Sequence, residues 1–188
     1  MRNYQTAAPT AHQRLPHYQR DDTWIREFLR RSLIAHIGHT SDGQPFVTPT
    51  NFWFDEDGHR IIFHSNLAGR LRSNLEAGPK VCMETSEFGR LLPSNAALEF
   101  SLQFRSVMVF GTVHILEDLE DIRTVLHSLL AKYFPRLQPG KEFRPVTDKE
   151  IARTSVYALE IESWSGKENW NAQADMIEEW PPLPQDLL

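Results

Sequence analysis

The chain has 188 residues, 40% of them hydrophobic and 24% charged, with a formal net charge of −5, the make-up of one ordinary globular domain. No block of lysine or arginine is long enough to follow a phosphate backbone, which argues against a nucleic-acid partner. Cys82 is the only cysteine, so an intrachain disulfide and a CxxC zinc site are both excluded.

The N-terminal stretch MRNYQTAAPTAHQRLPHYQRDD is polar and has no apolar core of the kind a secretory signal needs. No apolar run approaches membrane-spanning length, and the expectation is a cytoplasmic protein with no membrane partner. Residues 1–20 read as an irregular arm, with Pro9 and Pro16 and no periodicity. Asp21, Asp22 and Thr23 are N-cap candidates for a helix to about Arg31, with Trp24, Ile25, Phe28 and Leu29 on one stripe. Leu33–His39 reads as a strand. A Ser41-Asp42-Gly43-Gln44 turn leads into Pro45–Phe54, rich in β-branched and aromatic residues. Asp55-Glu56-Asp57-Gly58 then turns the chain into a third strand, His59–Ser65, completing an antiparallel meander. A short helix over Gly69–Glu76 and a strand over Pro79–Glu84 follow. Phe88–Ala97 reads as a loop and Leu98–Leu116 as a long strand, in which Gly111 marks a bulge or a close approach. Apolar residues Ile122, Val125, Leu126, Leu129, Leu130 and Tyr133 define a helix over Glu117–Phe134, ended by Pro135. A polar loop Gln138–Asp148, a last strand Arg153–Ile161 and a Pro-rich end complete the chain. Hairpins rather than βαβ units predict a mainly β (α+β) fold, a closed or split antiparallel barrel of about six strands with flanking helices.

The stretch Ile61–Leu75, IIFHSNLAGRLRSNL, concentrates the candidate chemistry. Alternation puts His64 on the face of Ile62 at the end of a strand. There it is either a half-buried histidine bonded to a carbonyl or an imidazole at a pocket rim, poised near neutral pH. Gly69 opens a helix whose free N–H groups suit a phosphate, and Arg70 adds a fork of donors. Arg72 faces Glu76 at i, i+4, where a surface ion pair is the plainer reading. His36 and His39, three apart on a strand, point to opposite faces and do not share a metal; no metal site is expected.

With these segments in order, PFVTPTNFWF, IIFHSNLAGRLRSNL, LLPSNAALEFSLQFRSVMVFGTV and RTSVYALEIESWSGKENW resemble the FMN-binding split-barrel superfamily of pyridoxamine 5′-phosphate oxidase. Within it they are most similar to the 5-nitroimidazole-resistance proteins. The resemblance implies a six-stranded antiparallel split β-barrel over 21–170, between an arm at 1–20 and a tail at 171–188. It implies FMN as cofactor, with the strand Phe46–Thr50 along the ring edge through Val47, Thr48, Pro49 and Thr50, His64 and Ser65 at the strand end meeting the flavin, and Arg70 at the phosphate. Arg72 is a second phosphate candidate. Ser106 would lie near the ring, and Trp164, Gly166 and Lys167 would reach the cofactor of a partner subunit in a homodimer. Leu71 stands where the oxidases have a lysine, and Ser106 where they have glutamine. Both departures argue against pyridoxamine 5′-phosphate oxidase activity itself.

The same resemblance makes His64 the catalytic residue of a nitroreductase acting on nitroaromatic substrates such as 5-nitroimidazoles, carrying the nitro group to the amine. Electrons would come from reduced FMN, or from a pyruvate attached to His64. The alternative is a flavin-binding protein or oxidoreductase with an unrelated small substrate; a third reading, a haem-binding split barrel, needs an axial ligand, for which His64 could serve, and no residue singles out haem.

Overall fold

The computed structural model describes residues 6–184. Residues 1–5 of the expected arm and 185–188 of the expected tail lie outside the described residues. Eight strands form one antiparallel sheet: β1 (Gln19–Arg20), β2 (Ile34–Ser41), β3 (Gln44–Asn51), β4 (Trp53–Asp55), β5 (Arg60–Asn66), β6 (Lys80–Leu92), β7 (Ser101–Ile115) and β8 (Thr154–Asn169). The order across the sheet is β3-β2-β6-β7-β8-β5-β4, with β1 added to β8. The sheet curls so that β3 comes back to β5, giving a split barrel. Four helices flank it: α1 (Asp22–Arg31), α2 (Arg70–Ala77), α3 (Leu119–Tyr133) and α4 (Asp148–Ile151). No helix among the described residues is long and apolar enough to cross a membrane.

Six of the strands answer to the expected six; β1 and β4 are the additions. β1 lies in the expected irregular arm, after a 3-10 turn at Pro16–Tyr18, and two residues are too few to show a period. β4 separates from β3 because Phe52 leaves the ladder: it is fully buried and its N–H donates to the Tyr133 hydroxyl at 2.9 Å. Two segments differ from the reading of their composition. β6 runs on to Leu92 through the expected loop, and a register shift between Phe88 and Leu91 takes up Gly89 and Arg90. β8 continues through Trp164–Asn169, where polar SGKEN residues carry no strand pattern but pair with β7 and, at Gly166 and Lys167, with β1. α4 was unforeseen inside the polar segment; a Thr147/Glu150 capping box starts it.

Two helices begin on aspartate caps, Asp21 accepting from the Trp24 N–H and Asp118 from the Asp121 N–H. α1 buries Ile25, Phe28 and Leu29 in the barrel interior with Ile37, Phe63, Met83 and Leu159. A second, smaller core joins Ile62, Val156 and Ala158 on the other face to Ile122 and Val125 of α3 and Ile151 of α4. Alternation along β5 therefore feeds two cores: Ile61 and Phe63 go inward, Ile62 toward α3. At Gly111 the register shifts against β8, and a Cβ there would stand 1.9 Å from the Glu160 carbonyl oxygen. The bulge exists because another backbone passes where a side chain would be.

Candidate functional site

The first group of candidate residues gathers where β2 and β3 meet α2. Gly69, with φ of +148°, turns the chain from β5 into α2, and a Cβ there would meet only open space. Arg70 follows as the first helical residue. Its guanidinium sits 5.2 Å from the centre of the Phe46 ring and makes no hydrogen bond or ion pair among the described residues. A cation without an acid, beside the free N–H groups of a helix start, is suited to an anion. Phe46 in turn stacks on His39, with centroids 5.7 Å apart and planes 12° from parallel. The His39 ring is 3% exposed. It accepts at Nδ1 from Asn74 Nδ2 at 2.9 Å and meets Thr48 Oγ1 through Nε2 at 3.1 Å. Burial lowers its pKa below the usual imidazole value, so the ring is neutral at pH 7. A largely apolar cavity of about 490 Å³ opens beside this cluster, lined by Phe46, Val47, His39, Cys82 and Phe110 among others.

His64 belongs to a different place. It follows Ile62 to the α3 side of the sheet and lines a cavity of about 360 Å³ walled by Leu126, Leu129, Leu130, Phe143 and Val146. Its Nδ1 is buried with no hydrogen-bond partner, and burial lowers its pKa. Buried polar atoms are nearly always bonded, and among the described residues this nitrogen and Asn169 Oδ1 are the two that are not. Arg144, Glu150 and Thr154 complete the lining. Glu150 is held by the Thr147 N–H and hydroxyl and by Arg144 at 2.8 Å. Those contacts, the Arg144 bond foremost, bring its pKa down to about 2. The segment covering this cavity is tied to α3 at Val146, whose carbonyl accepts from Arg123 and whose N–H donates to His127 Nε2 at 3.2 Å.

Sequence reasoning put His64 and Ser65 at one site; the structure sends them to opposite faces of β5. The Ser65 hydroxyl bonds the buried Tyr157 hydroxyl at 2.9 Å, and Tyr157 packs in the barrel interior. Arg72 is engaged by Glu76 at 2.6 Å and by the Ser155 hydroxyl at 2.7 Å, which holds it on the flank of α2. Thr48 reaches the His39 cluster, Val47 faces solvent and lines the larger cavity, and Pro49 and Thr50 continue the same edge strand. β8 divides its candidates by alternation. Trp164 donates to Asp22 at 2.9 Å, and Gly166 lies where a Cβ would crowd Ile25 and Trp24, so both face α1. Lys167 takes the opposite face beside Ser106, in a groove that Pro9 and His12 also line. Asn74, Arg144 and Glu150 were not singled out as site residues, His39 was weighed only as a metal ligand, and Phe46 entered only as the head of the strand expected along the flavin ring. For His39 the signal was its place in step with Ala35 and Ile37, both fully buried; for Glu150 it was the T-x-x-E spacing of a capping box.

The family model described as pyridoxamine 5′-phosphate oxidase matches residues 21–168. Among solved structures, the chain is similar to a flavocytochrome from Azotobacter vinelandii, with 32% identity over 92% of this chain and 78% of that one and a TM-score of 0.78. It is similar to a FAD and haem binding protein from Mycobacterium smegmatis, with 24% identity, coverage of 88% and 84%, and a TM-score of 0.77. A structure assigned to 5-nitroimidazole antibiotic resistance, from Bacteroides thetaiotaomicron, shares 21% identity, coverage of 86% and 96%, and a TM-score of 0.67. No curated protein matches the chain.

Proposed function

The chain belongs to the pyridoxamine 5′-phosphate oxidase family, and on that premise we propose that it is a flavin-binding oxidoreductase with a haem as its second redox group, seated beneath α3 on His64. The observation that carries the haem half is the His64 ring, which is neutral and lines a largely apolar cavity, with an Nδ1 that has no hydrogen-bond partner among the described residues. Leaving a buried polar atom unsatisfied costs about 1–3 kcal/mol. A neutral imidazole is a metal ligand, whereas a proton donor must first be charged. The aliphatic side chains of α3 suit the faces of a macrocycle and exclude water from it. The similarity to a flavocytochrome at 32% identity supports the pairing of the two groups.

The flavin half rests on Arg70, held by Phe46 and without an acid partner among the described residues, at the start of α2. Arg70 and the first N–H groups of α2 would hold the phosphate, and Val47–Thr50 would run along the ring. Ser106 and Lys167 lie on the outer sheet face, which a second copy of the chain would cover in a homodimer; light scattering in solution tests that assembly. FMN is the form implied by the sequence resemblance, FAD the form named for the mycobacterial structure, and the mass of the released chromophore decides between them. When bound, a flavin supplies two-electron and a haem one-electron transfer.

Reduction of 5-nitroimidazoles is the second reading. The His64 cavity can admit a small nitro heterocycle, and the same imidazole would protonate the nitro oxygens, with FMN or a His64-bound pyruvate as electron source. The depressed pKa of His64 weighs against it at neutral pH. One experiment separates the readings: visible spectra of the purified protein before and after adding haemin and flavin, for the natural chain and His64→Ala. Soret and flavin bands in the first, and flavin alone in the second, support the proposal. Flavin without a Soret band, with His64-dependent turnover of metronidazole, overturns the haem half in favour of the nitroreductase.

A further inference from the structure

The cluster beside Arg70 supports a further step, which rests on the flavin reading above. We infer that His39 is a positioning residue for the flavin site: held in one tautomer by Asn74, it donates to Thr48 and so leaves the Thr48 hydroxyl to donate to the cofactor. The direction of each bond follows from what the atoms can do. An amide nitrogen only donates, so Asn74 Nδ2, 2.9 Å from Nδ1, requires the lone pair there. The one ring N–H of a neutral imidazole is then on Nε2, which points at Thr48 Oγ1 at 3.1 Å. Thr48 accepts that bond and makes no other among the described residues. Its own hydrogen is uncommitted.

The placing of that hydrogen gives it a use. Pro49 follows Thr48 and has no N–H, so at that position β3 offers a flavin edge no backbone donor. A side-chain hydroxyl supplies one. The same His39 ring supports Phe46, and Phe46 supports Arg70. One buried imidazole therefore sets both the orientation of the Thr48 donor and the seat of the anion-binding arginine. Asn74 makes this possible because α2 turns it inward: it is 3% exposed, on the same helix that Arg70 begins.

The test measures flavin affinity by fluorescence quenching, and flavin midpoint potential by spectroelectrochemistry, on the full chain loaded with the flavin it retains. The variants are Thr48→Val, Thr48→Ser, His39→Phe and the double His39→Phe/Thr48→Val. Phenylalanine keeps the stack on Phe46 and removes both hydrogen bonds. Thr48→Val and His39→Phe are each expected to weaken binding about tenfold, the scale of one neutral hydrogen bond, and to move the potential in the same direction. The double variant loses no more than either single one, and Thr48→Ser keeps the natural values. Thr48→Val with unchanged affinity and potential overturns the inference, as does a double variant that loses the sum of the two. Should His39→Phe not fold, the valine and serine variants at half-buried Thr48 decide alone. A natural chain that binds neither FMN nor FAD removes the flavin reading itself, and this inference with it. Natural binding with indifferent variants removes only the role of His39.

Discussion

His39 and His64 make an instructive pair. Both are strand residues with a pKa lowered by burial, and each faces a cavity. His39 is bonded at both ring nitrogens and stacked on Phe46, whereas His64 keeps a buried nitrogen with no partner. The first is a fixture that shapes the groups around it. The second lines a largely apolar cavity and keeps a buried Nδ1 with no partner among the described residues. Burial is common to the two histidines; what separates them is the bonding of their ring nitrogens.

The largest effect that can break this distinction is His64→Ala. It should abolish haem binding while leaving flavin binding intact, read from the Soret and flavin bands of one sample. Loss of both groups together would show that the two sites are one. Arg70→Gln is the reciprocal change. Removing a charge-assisted contact to a phosphate should weaken flavin binding about 10–100-fold with haem uptake unchanged, by parallel titrations. Haem affinity that fell with Arg70 would undo the separation from the other side.

Stability tests divide the two histidines more finely. His39→Leu strips Asn74 and Thr48 of a shared partner, and urea unfolding of the cofactor-free protein should report a loss of about 2–3 kcal/mol. His64→Leu removes the orphaned nitrogen and adds an aliphatic group to an aliphatic wall. It should raise stability by about 1 kcal/mol. A substitution that stabilises the fold while removing a cofactor is the mark of a residue retained for function. Equal losses at both positions would make His64 another structural histidine.

How much of this was open to reading from sequence follows from the range of the interactions. The meander, the two capped helices and the Gly111 bulge are local, and period, cap and glycine signals report them. The strand character of Trp164–Asn169 is not local: it comes from pairing with β7 more than 50 residues away in sequence, which the composition of SGKEN does not register. Arg70 and Thr48 could be singled out because their motif is contiguous. Alternation placed His64 on the face of Ile62, but only the fold shows that α3 lies there and supplies Leu126, Leu129 and Leu130. His39 could be weighed only as a metal ligand because its partners come from β3 and α2, and Arg144 went unremarked because its segment is polar and irregular until Glu150 fixes it.

The smallest effect concerns pH, and its sign is set by the direction of the two shifts. Each histidine has a folded pKa below its ordinary value, near 6.5 in an unfolded chain. Above that value both states are neutral and the contribution to stability is complete. As the pH falls below it, the unfolded chain takes up protons that the folded one refuses, so stability declines until the folded pKa is passed. Removing either histidine should therefore make the acid limb of a stability–pH curve shallower than in the natural chain. The carboxylates, Glu150 with its pKa of about 2 among them, act alike in all three proteins and cancel in the comparison. His64→Leu should show the shallower limb from a higher plateau at pH 7, and His39→Leu from a lower one. An acid limb in His64→Leu as steep as the natural one would mean that folding does not lower the pKa of its ring. That result would return His64 to the role of proton donor and weaken its assignment as a ligand.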